Sequence, residues 1–217
     1  MVLSNPETTV SEDAKSLSIV IIILVVFYTQ LYASDSSASD ISAISDKSIF
    51  NIEYLTPTED DRNIDTLNID INMLLTRFKM IDLSFYYGIT ATYVTGSITQ
   101  LEGNINQGTL REASFDNSAY GIGPGLSTSL RLFDSNKIAL LINLSGNLIV
   151  YNERFPAGGE YYNLMWRGGA VIEYKLDPTK SIGLSHQWTH VSNGQGATSE
   201  NPSYEASGFG LRFMGIF

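Results

Sequence analysis

Residues 83–93 read LSFYYGITATY, with Leu83, Phe85, Tyr87, Ile89, Ala91 and Tyr93 at one parity. Ser84, Tyr86, Thr90 and Thr92 occupy the other, continuing from Asp82. Successive side chains of a strand point to opposite faces, so the stretch predicts a strand with one apolar and one mostly polar face.

The same period recurs on both sides of it. Residues 48–55 place Phe50, Ile52 and Tyr54 together, and residues 64–75 oppose Leu67, Ile69, Ile71 and Met73 to Thr66, Asn68, Asp70 and Asn72. Downstream, residues 119–133 set Tyr120, Ile122, Leu126, Leu130 and Leu132 against three glycines, Ser127, Ser129 and Arg131. Leu140, Ile142, Leu144, Leu148 and Val150 face away from Asn143, Ser145 and Asn147. Tyr162, Leu164, Trp166, Ala170, Ile172 and Tyr174 oppose Asn163, Arg167, Gly169 and Glu173. Ile182, Leu184 and Trp188 oppose Ser181, Ser185, Gln187 and Thr189, and the last segment carries Phe209, Leu211, Phe213 and Phe217.

Eight two-faced segments predict an all-β fold, an eight-stranded antiparallel up-and-down transmembrane β-barrel. A soluble β-sandwich also alternates, but its solvent face is usually rich in Lys, Glu and Asp. Here the polar face is mostly Gly, Ser, Thr and Asn, which suits a narrow lumen filled by side chains. A strand closing on Phe217 resembles the last strand of many outer-membrane barrels.

The links at 134–137 and 176–180 are short, whereas 95–118, 152–160 and 193–204 are read as longer loops. Short turns belong on the periplasmic side and long loops outside, which places the 193–204 loop at the extracellular rim.

Composition narrows the function. A formal charge of -10 argues against nucleic acid, which requires clustered Lys and Arg. With no cysteine and two histidines, neither a disulfide framework nor a metal centre is expected. The apolar run LSIVIIILVVFY at 17–28 is short for a spanning helix and matches the core of an export signal. Residues 1–33 are accordingly read as a signal peptide, 34–47 as a flexible Ser/Asp-rich leader and 48–217 as the barrel. The residues upstream of the apolar run, where Glu7, Glu12 and Asp13 outnumber Lys15, depart from the positive start that such signals show.

The seventh segment ends in HVSNG, residues 190–194. His190 and Ser192 stand two apart on the face of Leu184 and Trp188, so both point toward lipid. Glu205 shares the parity of Phe209, Leu211 and Phe213 and also points outward. A hairpin brings these strands side by side, with cross-strand neighbours ~5 Å apart. A serine nucleophile needs a base within hydrogen-bond reach and a group that orients the base. Ser192, His190 and Glu205 supply those three types. Asn193, Asn201 and the Gly194 backbone N–H are the available donors to an oxyanion. Glu200 is a second candidate for the acid, but it sits in mid-loop without a strand to hold it. His186 shares the outward face, shows no catalytic partner in the sequence and is read as interfacial. Trp166, Trp188, Tyr162 and Tyr174 are assigned to aromatic girdles, and the acidic stretch TPTEDDRN at 56–63 to a solvated loop.

The segment H-x-S-N, a loop, then N-x-x-x-E resembles the outer-membrane lipid A 3-O-deacylases, also described as acyloxyacyl-hydrolase-like barrels. His190, Ser192, Asn193, Asn201 and Glu205 occupy those positions, over about the last thirty residues of the chain. The resemblance implies His190, Ser192 and Glu205 as the triad, with Asn193 and Asn201 aiding the oxyanion. It also implies lipid A (lipopolysaccharide) as substrate, an outer-membrane location with the active site at the extracellular leaflet, and no metal or organic cofactor. Two readings stand beside it: another outer-membrane esterase or phospholipase, and a structural or adhesive barrel without catalysis. Monomer or homodimer stays open.

Overall fold

The structure, a computed structural model, describes residues 48–102, 111–194 and 202–215. The expected signal and leader, Glu200, Asn201 and Phe217 lie outside the described residues. Eight strands form one closed antiparallel ring in sequence order. They are β1 (Ser48–Pro57), β2 (Arg62–Phe78), β3 (Leu83–Glu102), β4 (Arg111–Asp134), β5 (Ile138–Phe155), β6 (Glu160–Lys175), β7 (Ser181–Ser192) and β8 (Tyr204–Gly215). Closure runs from Ser48 opposite Gly215 to Pro57 opposite Ala206, so no strand edge is left along that seam. Closure lets every strand pair on both sides, the condition for crossing a bilayer with strands.

Each predicted face is where the alternation puts it. Ile52, Ile69, Ile71, Ile89, Ile122, Leu126, Leu144, Trp166, Ile172, Leu184, Phe209 and Leu211 are all exposed. So continuous an apolar exterior is foreign to a soluble protein and suits a lipid-facing belt. Polar partners on the same strands turn inward and are buried, among them Thr66, Asn68, Asp70, Thr90, Asn147 and Arg167.

The strands run further than the alternation implied. The span 95–118, read as a long loop, is mostly strand, because β3 and β4 stay paired from Leu83 opposite Leu130 to Glu102 opposite Arg111. Beyond the belt, Thr95, Ser97, Thr99, Ser114 and Ser118 put small polar residues on the outer face, while Val94 and Ile98 turn inward and are buried. The apolar outward signal ends there while the main-chain ladder continues. Likewise β5 continues to Phe155 before the turn into β6.

The lumen is filled in layers. At the end where β7 passes to β8, an apolar plug packs Ile64, Val94, Ile149, Tyr151, Phe155, Met165, Val191 and Tyr204. Room for it comes from glycine on β4, since a Cβ on Gly121 would lie 2.5 Å from Ile149 Cγ2 and 2.8 Å from Tyr151 Cδ1. Below the plug, Arg167 pairs with Asp70 at 2.8 Å and with Glu53 at 2.9 Å. Lower still, Glu173 meets Arg212 at 3.0 Å and Arg131 at 3.8 Å. The polar layer holds a cavity of about 30 Å³ among residues such as Glu53, Asp70, Arg167 and Arg212. A space of that size holds a water or two.

Candidate active site

Strand β7 carries Leu184, His186, Trp188 and His190 on the outer wall, with Gly183, Ser185, Gln187, Thr189 and Val191 turned inward and buried or nearly so. On β8 the outward set is Glu205, Ser207, Phe209 and Leu211. The β7–β8 register pairs His190 directly with Glu205. Their side chains meet across the strands, with His190 Nδ1 3.3 Å from Glu205 Oε1 and each about one-third exposed. A carboxylate at Nδ1 favours the tautomer with its proton on Nδ1, which leaves Nε2 free to accept a proton.

Ser192 is the last residue of β7, two beyond His190, opposite Leu164 of β6. Along a strand two residues span ~6.6 Å, so Ser192 follows His190 at the same parity of β7. The residue is 8% exposed. Asn193 follows at 3% exposure. Gly194 then turns the chain with φ +69°, a left-handed conformation open to glycine and strained for a side chain. Of the residues expected at the site, the structure unites His190 with Glu205 and carries Ser192, Asn193 and Gly194 at the end of β7 just past His190.

Two contributors were not foreseen. Trp188, read as a girdle residue, donates its indole N–H to Glu205 Oε2 at 3.4 Å. Its ring stacks on the His190 ring, with centroids 6.2 Å apart and 25° between planes. The available signal was parity, since Trp188 lies two residues before His190 on the same face. Arg62, from the stretch read as a solvated acidic loop, donates through Nη1 to the backbone carbonyl and to Oγ of Ser203. The turn before it adds Thr58 N donating to Glu205 O at 3.1 Å. Glu205 is thus held from β7 on one side and from the β1–β2 turn on the other. The partners Arg62 and Ser203 are 141 residues apart, so only closure of the ring reveals the contact.

His186 also has a neighbour that the sequence did not suggest. Its Nε2 lies 3.3 Å from Ser207 Oγ, and its ring packs edge-on against Phe209 at 5.0 Å. Ser207 Oγ donates to the Gln187 carbonyl at 3.2 Å. That hydroxyl proton is engaged with backbone, so the pair reads as mutual satisfaction of two polar groups on a lipid-facing wall.

Neither a family model nor a curated protein matches the sequence. Solved structures similar to this chain include the outer membrane enzyme PagL, at 13% identity over 78% of this chain and 99% of that one, with a TM-score of 0.46. The Yersinia pestis outer membrane protein Ail in a phospholipid nanodisc is similar at 15% identity over 77% and 99% of the two chains, with a TM-score of 0.31. The outer membrane protein AlkL in lipid bilayers is similar at 11% identity over 80% and 90%, with a TM-score of 0.30. At such identities and scores the chemistry of this chain rests on its own residues.

Proposed function

We propose that this chain is an outer-membrane serine esterase that removes the 3-O-linked acyl chain of lipid A at the extracellular leaflet. The observation that carries the reading is the His190–Glu205 pair, 3.3 Å apart on the lipid-facing wall, with Ser192 next along the strand. A base oriented by a carboxylate, with a serine two residues further along the same strand, supports acyl transfer. Lipid A as the substrate follows from the H-x-S-N and N-x-x-x-E resemblance. The outer leaflet as the place follows from the loop-end position of the site.

Ser192 Oγ attacks the ester carbonyl while its proton passes to His190 Nε2. The carbonyl oxygen becomes an oxyanion, with Asn193, Asn201 and the Gly194 N–H as its donors. Collapse of that intermediate breaks the bond to the sugar oxygen, which leaves with the proton held by His190. A water then gives its proton to His190 and attacks the acyl-serine, releasing the fatty acid and restoring the hydroxyl.

Mass spectrometry of lipid A from cells expressing the wild type and Ser192→Ala tests this. The wild type should yield lipid A lighter by one acyl chain, and the variant should not. Identical acylation in both, with phospholipids also unchanged, refutes esterase function; loss of phospholipid acyl chains alone reassigns the substrate.

A further inference from the structure

We propose that Trp188 is a positioning residue, whose indole N–H and ring together fix the Glu205 carboxylate against His190. For its effect on turnover this rests on the esterase reading; the contact itself does not.

A carboxylate end group turns about a broad, roughly two-fold torsion, so a single hydrogen bond leaves its orientation loose. Glu205 has two donors on two oxygens, His190 Nδ1 at Oε1 and Trp188 Nε1 at Oε2, 3.3 and 3.4 Å away. Trp188 lies opposite Ser207, which makes Glu205 its diagonal neighbour. Such diagonals span ~7–8 Å between strands, within the reach of an indole but beyond a short side chain. A girdle tryptophan would aim its N–H at headgroups or water. Here the N–H is turned onto the acid and the ring covers the base. The groups around His190 are Glu205 on β8, Trp166 opposite on β6, and Trp188 and Ser192 on its own strand. The second imidazole on this wall, His186, is engaged with Ser207 and Phe209.

The chain has two tryptophans, so Trp166→Phe leaves Trp188 as the sole indole reporter. A protonated imidazole quenches an indole stacked on it. In the folded Trp166→Phe barrel in detergent micelles, acidification should therefore lower Trp188 emission. The loss should vanish in His190→Gln and persist in His186→Gln. Emission that ignores pH, or that falls equally without His190, overturns the proposal. In a turnover assay, Trp188→Phe keeps a ring but loses the donor. Its kcat should fall about 10-fold with KM little changed. An unchanged kcat in Trp188→Phe also overturns the proposal. If no variant and no wild-type protein shows turnover, the esterase reading fails while the fluorescence arms still decide the placement of Trp188.

Discussion

Replacing Arg167 by Met tests how the lumen holds the barrel together. The guanidinium donates to both oxygens of Asp70 at 2.8 Å and to Glu53 at 2.9 Å. Weaker contacts reach Ser145 at 3.2 Å and Thr90 and Asn147 at 3.3 Å. One side chain on β6 therefore joins β1, β2, β3 and β5 across the interior. The side chains of Asp70 and Glu53 are 1% and 4% exposed, so the change leaves two buried carboxylates without their charged donor. Three charge-assisted bonds at ~1.5 kcal/mol each come to ~4.5 kcal/mol, inside the ~3–5 kcal/mol typical of breaking a buried ion pair from one side. At ~1.4 kcal/mol per decade, that shifts the unfolding equilibrium by about 10²–10⁴-fold. Urea unfolding of the barrel refolded in lipid vesicles, followed by tryptophan emission, measures it. Removing all three charges together, as Arg167→Met with Glu53→Leu and Asp70→Leu, should return stability to within about 1–2 kcal/mol of the wild type, because apolar replacement of a whole buried ion cluster is often neutral. A single variant costing under about 1 kcal/mol, or a triple variant as unstable as the single, would show that the cluster does not carry this load.

Two further outcomes follow from particular contacts. Glu205→Gln keeps the shape of the acid but removes the charge that orients His190, so kcat in an ester-release assay should drop by about 10²–10⁴-fold while the barrel folds normally; full activity would exclude Glu205 as the acid. In the β6–β7 turn, Asp177 accepts from Thr179 Oγ1 and from the backbone N–H of Thr179 and Lys180, and these bonds hold its carboxyl below the ordinary 3.8. A lowered folded-state pKa means stability present above pH 3.8 and lost as pH falls through the folded value. Asp177→Ala should thus lower the melting temperature at neutral pH and converge on the wild type in strong acid, and a pH-independent difference would contradict that account.

The barrel could be read in advance because lipid imposes a strict rule on one face of every strand. From Phe50 and Ile52 to Phe209 and Leu211, the outward residues are apolar without needing knowledge of any partner. The inner face obeys a weaker rule. Small polar residues were visible there, but the apolar plug at the loop end was not, because Val191, Met165 and Tyr204 stand at polar-face positions and only their convergence makes a core. Strand length was missed because past the belt the outward residues, such as Thr95 and Ser118, are no longer apolar, while their inward neighbours Val94 and Ala119 join the plug. At the site, the parity of His190, Ser192 and Glu205 was readable, and the β7–β8 register then pairs the first and last. Arg62 and Trp188 were not, since one acts through closure of the ring and the other through a diagonal.

The plug also explains how polar groups can stand on a lipid-facing wall without moving. Val191 lies between His190 and Ser192, Tyr204 immediately precedes Glu205, and Met165 precedes Trp166; all three inward residues are fully buried. Thr189, between Trp188 and His190, donates to the Trp166 carbonyl at 3.2 Å. Each outward group of the site is therefore anchored by an inward neighbour that packs or hydrogen-bonds inside the barrel. Sites on paired strands backed by a packed core hold their geometry better than sites on loops. On this wall His190 and Glu205 have that support directly, and Ser192 has it through Val191, so the geometry of these residues depends on the packed interior as much as on the lipid-facing contacts themselves.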